Sequence, residues 1–512
     1  MNRYTLIAAL LLFAFALQAF LALPKLSATS DEIPHLMAGY SYWTTRDFRM
    51  NPEHPPLAKL IAALPLLAFK PRLDRTSPAW NNAEEFLSGY DFLYSNDADR
   101  VLFWGRVPMI LLACLGGVPV FLWAREMFGP ASGLLAVGLY AFSPNLLAHG
   151  MLVTMDVPLA GFMTLALYLF WKQGPQPSWK SGAALGLAVG AAMACKFSGA
   201  ILPVLILAWT AWRWLCSTNR PQHAIMEAKS LAAAGLAALL VVEASYLLAV
   251  PPWTYAQNMR LVNANHNAIR LFYLFGDFSK TGWWYYFLLA FAVKATIPLL
   301  LCITLAALHC LSERFIDRCG ELILFSAIVS YGAAVTMGAD QIGIRYLVPL
   351  LPLLFIWSSR IAVELKTRTA GIAFMVLLVG WQARSALGAF PNYIPYFNEM
   401  AGGSSQGMEY LDDSNVDWGQ GMKQAAEYVR RHKLQTVELL PFSPFDNPRY
   451  YGIPTPRRAD LDTYRMIISG QHHPGVYIVS SHHLIRMKYV RPEWHPSQAI
   501  DRIGDSLWVY RF

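Results

Sequence analysis

The sequence predicts a polytopic α-helical membrane protein with about eleven spanning helices and a small C-terminal α/β domain on the outer face. Three observations predict it. Of 512 residues, 55% are hydrophobic and only 14% are charged, whereas a soluble domain is about 45–50% apolar and about 25% charged. Long apolar runs recur as far as residue 387. From 388 to 512 the chain turns polar and carries short strand-like runs. A soluble surface needs charge, so a purely soluble protein is disfavoured, and disordered, collagenous and disulfide-scaffold chains are excluded.

A spanning helix needs about 20 mostly apolar residues. Runs of this kind lie near 4–23, 101–124, 130–147, 152–171, 180–195, 197–215, 230–250, 283–308, 321–338, 344–358 and 369–387. Leu57–Phe69 is apolar but too short, and reads as interfacial or re-entrant. The first run exceeds the core of a signal peptide, about 7–15 residues, and no A-x-A site follows it. It is therefore read as a retained helix.

Charge sets the orientation. With the N-terminus inside, the inner connections carry Arg3, Arg125, Lys172, Lys180, Arg213, Arg220, Lys229, Arg314, Arg318, Arg360, Lys366 and Arg368. The short outer connections carry Lys196, Arg260, Arg270, Lys280 and Arg345. Basic residues concentrate on cytoplasmic loops, so this bias supports eleven spans and places 24–100 and 388–512 outside. It also accounts for the net charge of +8 without nucleic acid, for which no basic-aromatic motif is present. The six cysteines are scattered, mostly in apolar runs without metal-ligand spacing, and read as packing residues. In the tail, Thr436–Leu440, Val476–Ser480 and Leu507–Phe512 read as strands, with a helix near Gly419–His432.

Unusual chemistry gathers on the outer connections. The first loop starts Asp31-Glu32-Ile33-Pro34-His35, with His35 one helical turn after Asp31. It continues through Asn51-Pro52-Glu53-His54-Pro55-Pro56-Leu57 to Lys59, a backbone stiffened by three prolines. The second outer connection holds His149 and Asp156 beside apolar sequence, and an ionisable group at membrane depth is costly enough to suggest function. Further connections hold Lys196; Tyr255, Asn263, Asn265, His266, Arg270, Asp277 and Lys280; and Arg345. Carboxylates here suit a base or a metal, and cations suit a phosphate. Snorkelling to the interface is the alternative for each cation alone. Inside the spans, Glu243 is the one carboxylate near a centre, with Lys294 as a candidate partner. A constellation on one face favours surface chemistry over transport.

This ordered set resembles the lipid-carrier-dependent glycosyltransferases of the GT-C fold, in the protein O-mannosyltransferase-like and aminoarabinose-transferase-like group. Ser143-Pro144, His149-Gly150, Asp156, Arg345-Tyr346 and Pro349 add to the likeness. So do Tyr396-Phe397-Asn398, Gly402-Gly403, Asp413-Ser414-Asn415 and Asp417-Trp418-Gly419-Gln420 in the tail. The resemblance implies a multi-pass cell-membrane enzyme whose donor is a sugar, mannose-like or similar, on a polyprenyl phosphate. The acceptor would be a glycan, lipid or protein hydroxyl, reached by single displacement with inversion. Asp31 would be the general base, with Glu32 its competitor. Glu53, His54, Lys59, His149, Lys196 and Arg345 would bind donor phosphate or substrate. A divalent metal held by Asp156 with Asp31 is the other way of stabilising the phosphate. The aminoarabinose group carries a Lys where this chain has His54, a departure from its pattern. A transporter or assembly factor, and a transferase of a non-sugar group, stay open as alternatives. Asp413, Ser414 and Asn415 are expected to turn the chain and cap a helix beginning near Asp417.

Overall fold

The computed structural model describes residues 2–217, 220–264, 271–313, 315–456, 460–469, 473–491, 493 and 499–512. Asn265, His266, Arg270 and Arg314, and the side chains of Arg220 and Asn263, lie outside the described residues.

The protein is a multi-pass membrane protein built from a helical bundle with a small sheet unit at its C-terminal end. Helix α1 (Arg3–Ala22) opens the bundle with Asn2 capping it through the Tyr4 amide. The first loop then folds into α2 (Glu32–Thr45), α3 (Leu57–Ala63), α4 (Pro78–Asn81) and α5 (Glu85–Tyr94). The short apolar segment is α3 with a 3-10 turn, Leu64–Ala68. Helix α6 (Ala98–Phe128) runs 31 residues, and Gly129, at φ 101°, ends it where a side chain would be strained. Next come α7 (Pro130–Ala141), α8 (Pro144–Gly150), α9 (Asp156–Gln173), α10 (Trp179–Cys195), α11 (Ile201–Cys216), α12 (Arg220–Ser245) and α13 (Thr254–Ala264). A hairpin, β1 (Phe272–Leu274) and β2 (Asp277–Ser279), precedes α14 (Tyr286–Lys294), α15 (Ile297–Glu313) and α16 (Arg318–Gly338). A 3-10 segment, Ile344–Leu350, leads into α17 (Leu351–Ser358) and α18 (Ala362–Leu365), and α19 (Thr369–Ala389) closes the bundle.

Among the described residues, seven segments are long and apolar enough to cross a membrane, or nine if each bent pair counts as one. The run at 283–308 is not the single straight span expected: α14 and α15 meet at 116°. The run at 130–147 likewise bends by 61° between α7 and α8. Pro144 and Pro298 sit just past these breaks, where a missing N–H costs nothing. The two breaks touch, because the Asn145 side-chain amide donates to the Lys294 carbonyl at 2.7 Å. Freed backbone groups at membrane depth must be satisfied in this way. Lys294 itself donates to the carbonyls of Ile394 and Asn415 at 2.7 and 2.8 Å, and so does not take the expected partner, Glu243.

Helices α10 and α12 pack closely along Gly182, Gly186 and Gly190. A side chain at these positions would collide with the carbonyls of Ser230, Ala234 and Ala238. Small residues four apart allow backbones to approach where no hydrophobic force separates helix from lipid. The cysteines are free.

The tail holds α20 (Met422–Arg431), α21 (Asp460–Ser469) and α22 (Ser481–Val490) around a four-stranded sheet. Its strands are β3 (Val437–Leu440), β4 (Val476–Ser480), β5 (Asp501–Ile503) and β6 (Leu507–Arg511), in the order β3-β4-β6-β5. Strands β3 and β4 are parallel, Leu439 facing Ile478, with α21 in the crossover. Strand β6 runs antiparallel to both neighbours, Val509 facing Ile478 and Trp508 facing Arg502. Short β5 and the helices α21 and α22 are additions to the sequence expectation. The expected helix cap near Asp417 is corrected: Asp413–Asn415 is a 3-10 turn, and α20 starts at Met422 behind Gly421, with no side-chain cap. The tail packs on the first loop, with the Ser27 and Ser30 amides donating to the carbonyls of Gln420 and Trp418 at 3.1 and 2.9 Å.

Candidate active site

Four chain regions converge at this end of the bundle: the start of α2, the start of α9, the α10–α11 turn and the segment before α17. The tail covers them. Asp31 sits just ahead of α2, and Arg345 reaches it from a position 314 residues away, Nη1 to Oδ2 at 2.6 Å. Asp156 opens α9, and Lys196 of the α10–α11 turn binds its Oδ1 at 2.6 Å. Tyr346 joins the two pairs: the Lys196 ammonium lies 4.8 Å from its ring centre and the Arg345 guanidinium 5.4 Å. Trp418 of the tail stacks on Arg345 at 4.4 Å and meets the His149 ring edge-on at 6.1 Å.

The carboxylates differ in access. The side chain of Asp31 is 25% exposed, that of Asp156 4% and that of Glu32 0%. Asp31 Oδ1 has no hydrogen-bond partner among the described residues. Burial works against charge on Asp31, but the charge and hydrogen bond of the Arg345 guanidinium outweigh it and hold the carboxyl below its ordinary value. It is therefore ionised at neutral pH. Burial pushes His35 down to about 4 and outweighs the opposing hydrogen bond of its Nδ1 to the Val153 carbonyl at 2.7 Å, so the ring is neutral at neutral pH.

Glu32 occupies a different environment. Arg106 donates to both of its oxygens at 2.8 and 2.6 Å. Thr29 gives its amide and hydroxyl at 2.9 and 3.0 Å, and Val153 its amide at 3.0 Å. Every lone pair faces a donor, so this carboxylate is a strut between α2, α6 and the second outer connection. Lys59 is equally committed. Its ammonium donates to the Asn51 carbonyl at 2.7 Å, the Asn51 side chain at 3.0 Å, the His54 carbonyl at 2.8 Å and the Tyr42 hydroxyl at 3.1 Å. It closes the Pro-rich turn on itself. His54 is half-buried with its ring 5.7 Å from His35, and Glu53 is exposed at the rim. His149 is buried with Nδ1 unbonded, as is Arg345 Nε.

A divalent metal on Asp156 and Asp31 does not fit this donor set. Each carboxylate already holds a cation, and no group of three or more His, Cys, Asp or Glu able to hold a metal exists among the described residues. Tyr346 and Trp418 join the site without being among the residues that charge and membrane depth mark in the sequence. Both belong to motifs the sequence displays, Arg345-Tyr346 and Asp417-Trp418-Gly419-Gln420, but no spacing rule brings them together.

Comparison with known proteins agrees with this architecture. The family model of dolichyl-phosphate-mannose-protein mannosyltransferase matches residues 99–228. Over 99% of this chain and 97% of the other, the structure is similar to ArnT from Cupriavidus metallidurans bound to undecaprenyl phosphate, at 14% identity and a TM-score of 0.50. The apo state of that protein gives 15% identity and 0.51 over the same shares. The apo oligosaccharyltransferase of Archaeoglobus fulgidus matches 89% of this chain and 60% of its own at 13% identity and 0.50. No curated protein sequence matches the chain. What these structures share with the chain is the fold, the GT-C fold.

Proposed function

We propose that the chain is a glycosyltransferase that moves a sugar from a polyprenyl phosphate to an acceptor hydroxyl at the outer membrane face. The observation that carries this reading is the Asp31–Arg345 pair beside Lys196–Asp156. It puts an ionised, accessible carboxylate next to two cations at the end of a membrane bundle.

In this reading Asp31 Oδ1 takes the proton from the acceptor hydroxyl. The acceptor oxygen attacks the anomeric carbon from the face opposite the phosphate, and the bond from that carbon to the phosphate oxygen breaks. The leaving polyprenyl phosphate gains negative charge, which the largely buried Arg345 and Lys196 stabilise. Protonation of Asp31 removes the charge that holds Arg345, so the guanidinium turns to the phosphate as the phosphate needs it. One displacement with no covalent intermediate inverts the configuration. The sugar is mannose-like or similar, and the acceptor is a protein, lipid or glycan.

The test is transfer from labelled polyprenyl-phosphate sugars by purified protein in lipid. Asp31→Asn keeps volume but cannot take the proton, and should lower turnover by about 10²–10⁴-fold while donor binding persists. Near-normal turnover by this variant would sink the assignment.

A further inference from the structure

The tail reaches the site through Asn415, a fully buried side chain. Its Oδ1 accepts from the amide of Ile344 at 2.9 Å, one residue before Arg345. Its Nδ2 donates to the Asp412 carbonyl at 2.8 Å, with longer approaches to the Tyr286 hydroxyl and the Ile342 carbonyl at 3.3 and 3.4 Å. Its own carbonyl accepts from Lys294 at 2.8 Å. The neighbouring Ser414 hydroxyl donates to the Ile342 carbonyl at 2.9 Å. Two consecutive tail residues thus grip 342–344, and the fit leaves no room at Gly343, where a Cβ would collide with the Ser414 hydroxyl.

The Arg345 guanidinium has few holds of its own. Asp31 fixes Nη1 and Trp418 lies against its face, but Nε is buried without a partner. Where the guanidinium points therefore depends on where its backbone starts and where the Trp418 ring lies. Both are set by the segment 412–420. That segment is tied to the sheet unit through Asp412, which meets His482 at 2.8 Å and Arg486 at 2.7 Å, both on α22.

We propose that Asn415 is a positioning residue that aims the Arg345 guanidinium by holding the Ile344 amide. The kinetic consequence rests on the glycosyltransferase reading, whereas the structural one does not. A displacement of about 1 Å in a positioned group can cost about 10²-fold in rate, so small movements of the 342–344 segment should be felt.

The test combines three measurements on full-length protein in detergent or nanodiscs: kcat/KM for the polyprenyl-phosphate sugar, binding of a polyprenyl phosphate alone, and amide hydrogen exchange over 340–346. Asn415→Ala should lower kcat/KM by about 10–100-fold, weaken lipid-phosphate binding and speed exchange over 340–346, with exchange in the sheet unit unchanged. Ser414→Ala should move all three the same way by less, and it decides the matter if Asn415→Ala does not fold. In an Arg345→Gln background, Asn415→Ala should cost no more than about 2-fold further, because residues acting through one another are not additive. A full, additive loss in that background overturns the proposal, as does unchanged exchange over 340–346. Equal lipid-phosphate binding by wild type and Asn415→Ala sinks the positioning role alone. No binding and no transfer by the wild type sinks the proposed function instead.

Discussion

Glu32 and Arg106, 74 residues apart, form a two-bond ion pair with both side chains removed from solvent. Asp31, the adjacent residue, turns the other way and meets Arg345 at a quarter-exposed carboxylate. Adjacent acids thus have opposite surroundings, because successive side chains at a helix start point about 100° apart.

This division predicts a difference between stability and turnover. Removing one partner of a buried pair strands the other charge and costs about 3–5 kcal/mol. Arg106→Ala and Glu32→Gln should therefore lower the unfolding temperature in detergent sharply, while turnover per folded molecule falls less than in Asp31→Asn. Normal folding with no transfer in Glu32→Gln would move the base by one residue.

Lys196 faces Asp156 and the Tyr346 ring. Lys196→Met removes one of the two cations proposed to meet the phosphate. It should raise the Kd for polyprenyl phosphate by about 10-fold or more, the worth of one charge-assisted contact. Since the donor set does not fit a divalent ion, dialysis against a chelator should leave transfer unchanged. Equilibrium binding and turnover before and after dialysis check both points.

Asp417 gives a pH signature. Burial pushes its carboxyl up to about 6, against hydrogen bonds from the Ser480 hydroxyl at 2.5 Å and the Gly419 amide at 3.0 Å. The folded protein therefore holds this proton more tightly than the unfolded chain. Its contribution is fully present below about pH 4 and is lost as pH rises through about 6, a fall of roughly 3 kcal/mol. Unfolding followed from pH 4.5 to 8 should show this slope in the wild type and a smaller one in Asp417→Asn, which should match or exceed wild-type stability at pH 8.

Orientation is open to thiol labelling. Ser95 and Thr436 are exposed, as are the native Cys216 and Cys319. In intact cells an impermeant thiol reagent should label Ser95→Cys and Thr436→Cys but neither native cysteine. Labelling of Cys216 or Cys319 from outside would reverse the charge-based orientation.

The apolar runs are legible because a helix in lipid must satisfy its own backbone, and about 20 apolar residues in sequence suffice to specify one. Strands at 476–480 and 507–511 are legible for a similar local reason, their run of β-branched and aromatic residues. The first-loop acids and the cations Lys196 and Arg345 are visible because charge beside apolar sequence is costly. Their pairing is not visible. Nothing local in the sequence assigns Glu32 to Arg106, Asp31 to Arg345 or Asp156 to Lys196, since each bond depends on where distant helices land. The 116° break after Lys294 escapes a composition reading for the same reason, because the carbonyl it exposes is answered by Asn145, 149 residues away. Composition and local pattern thus determined the bundle, the tail unit and the end at which charged groups gather. The tertiary packing decided which acid is a buried strut, which stays accessible, and that Asn415 of the tail holds the residue before Arg345, because these are contacts between segments that meet only when the helices pack.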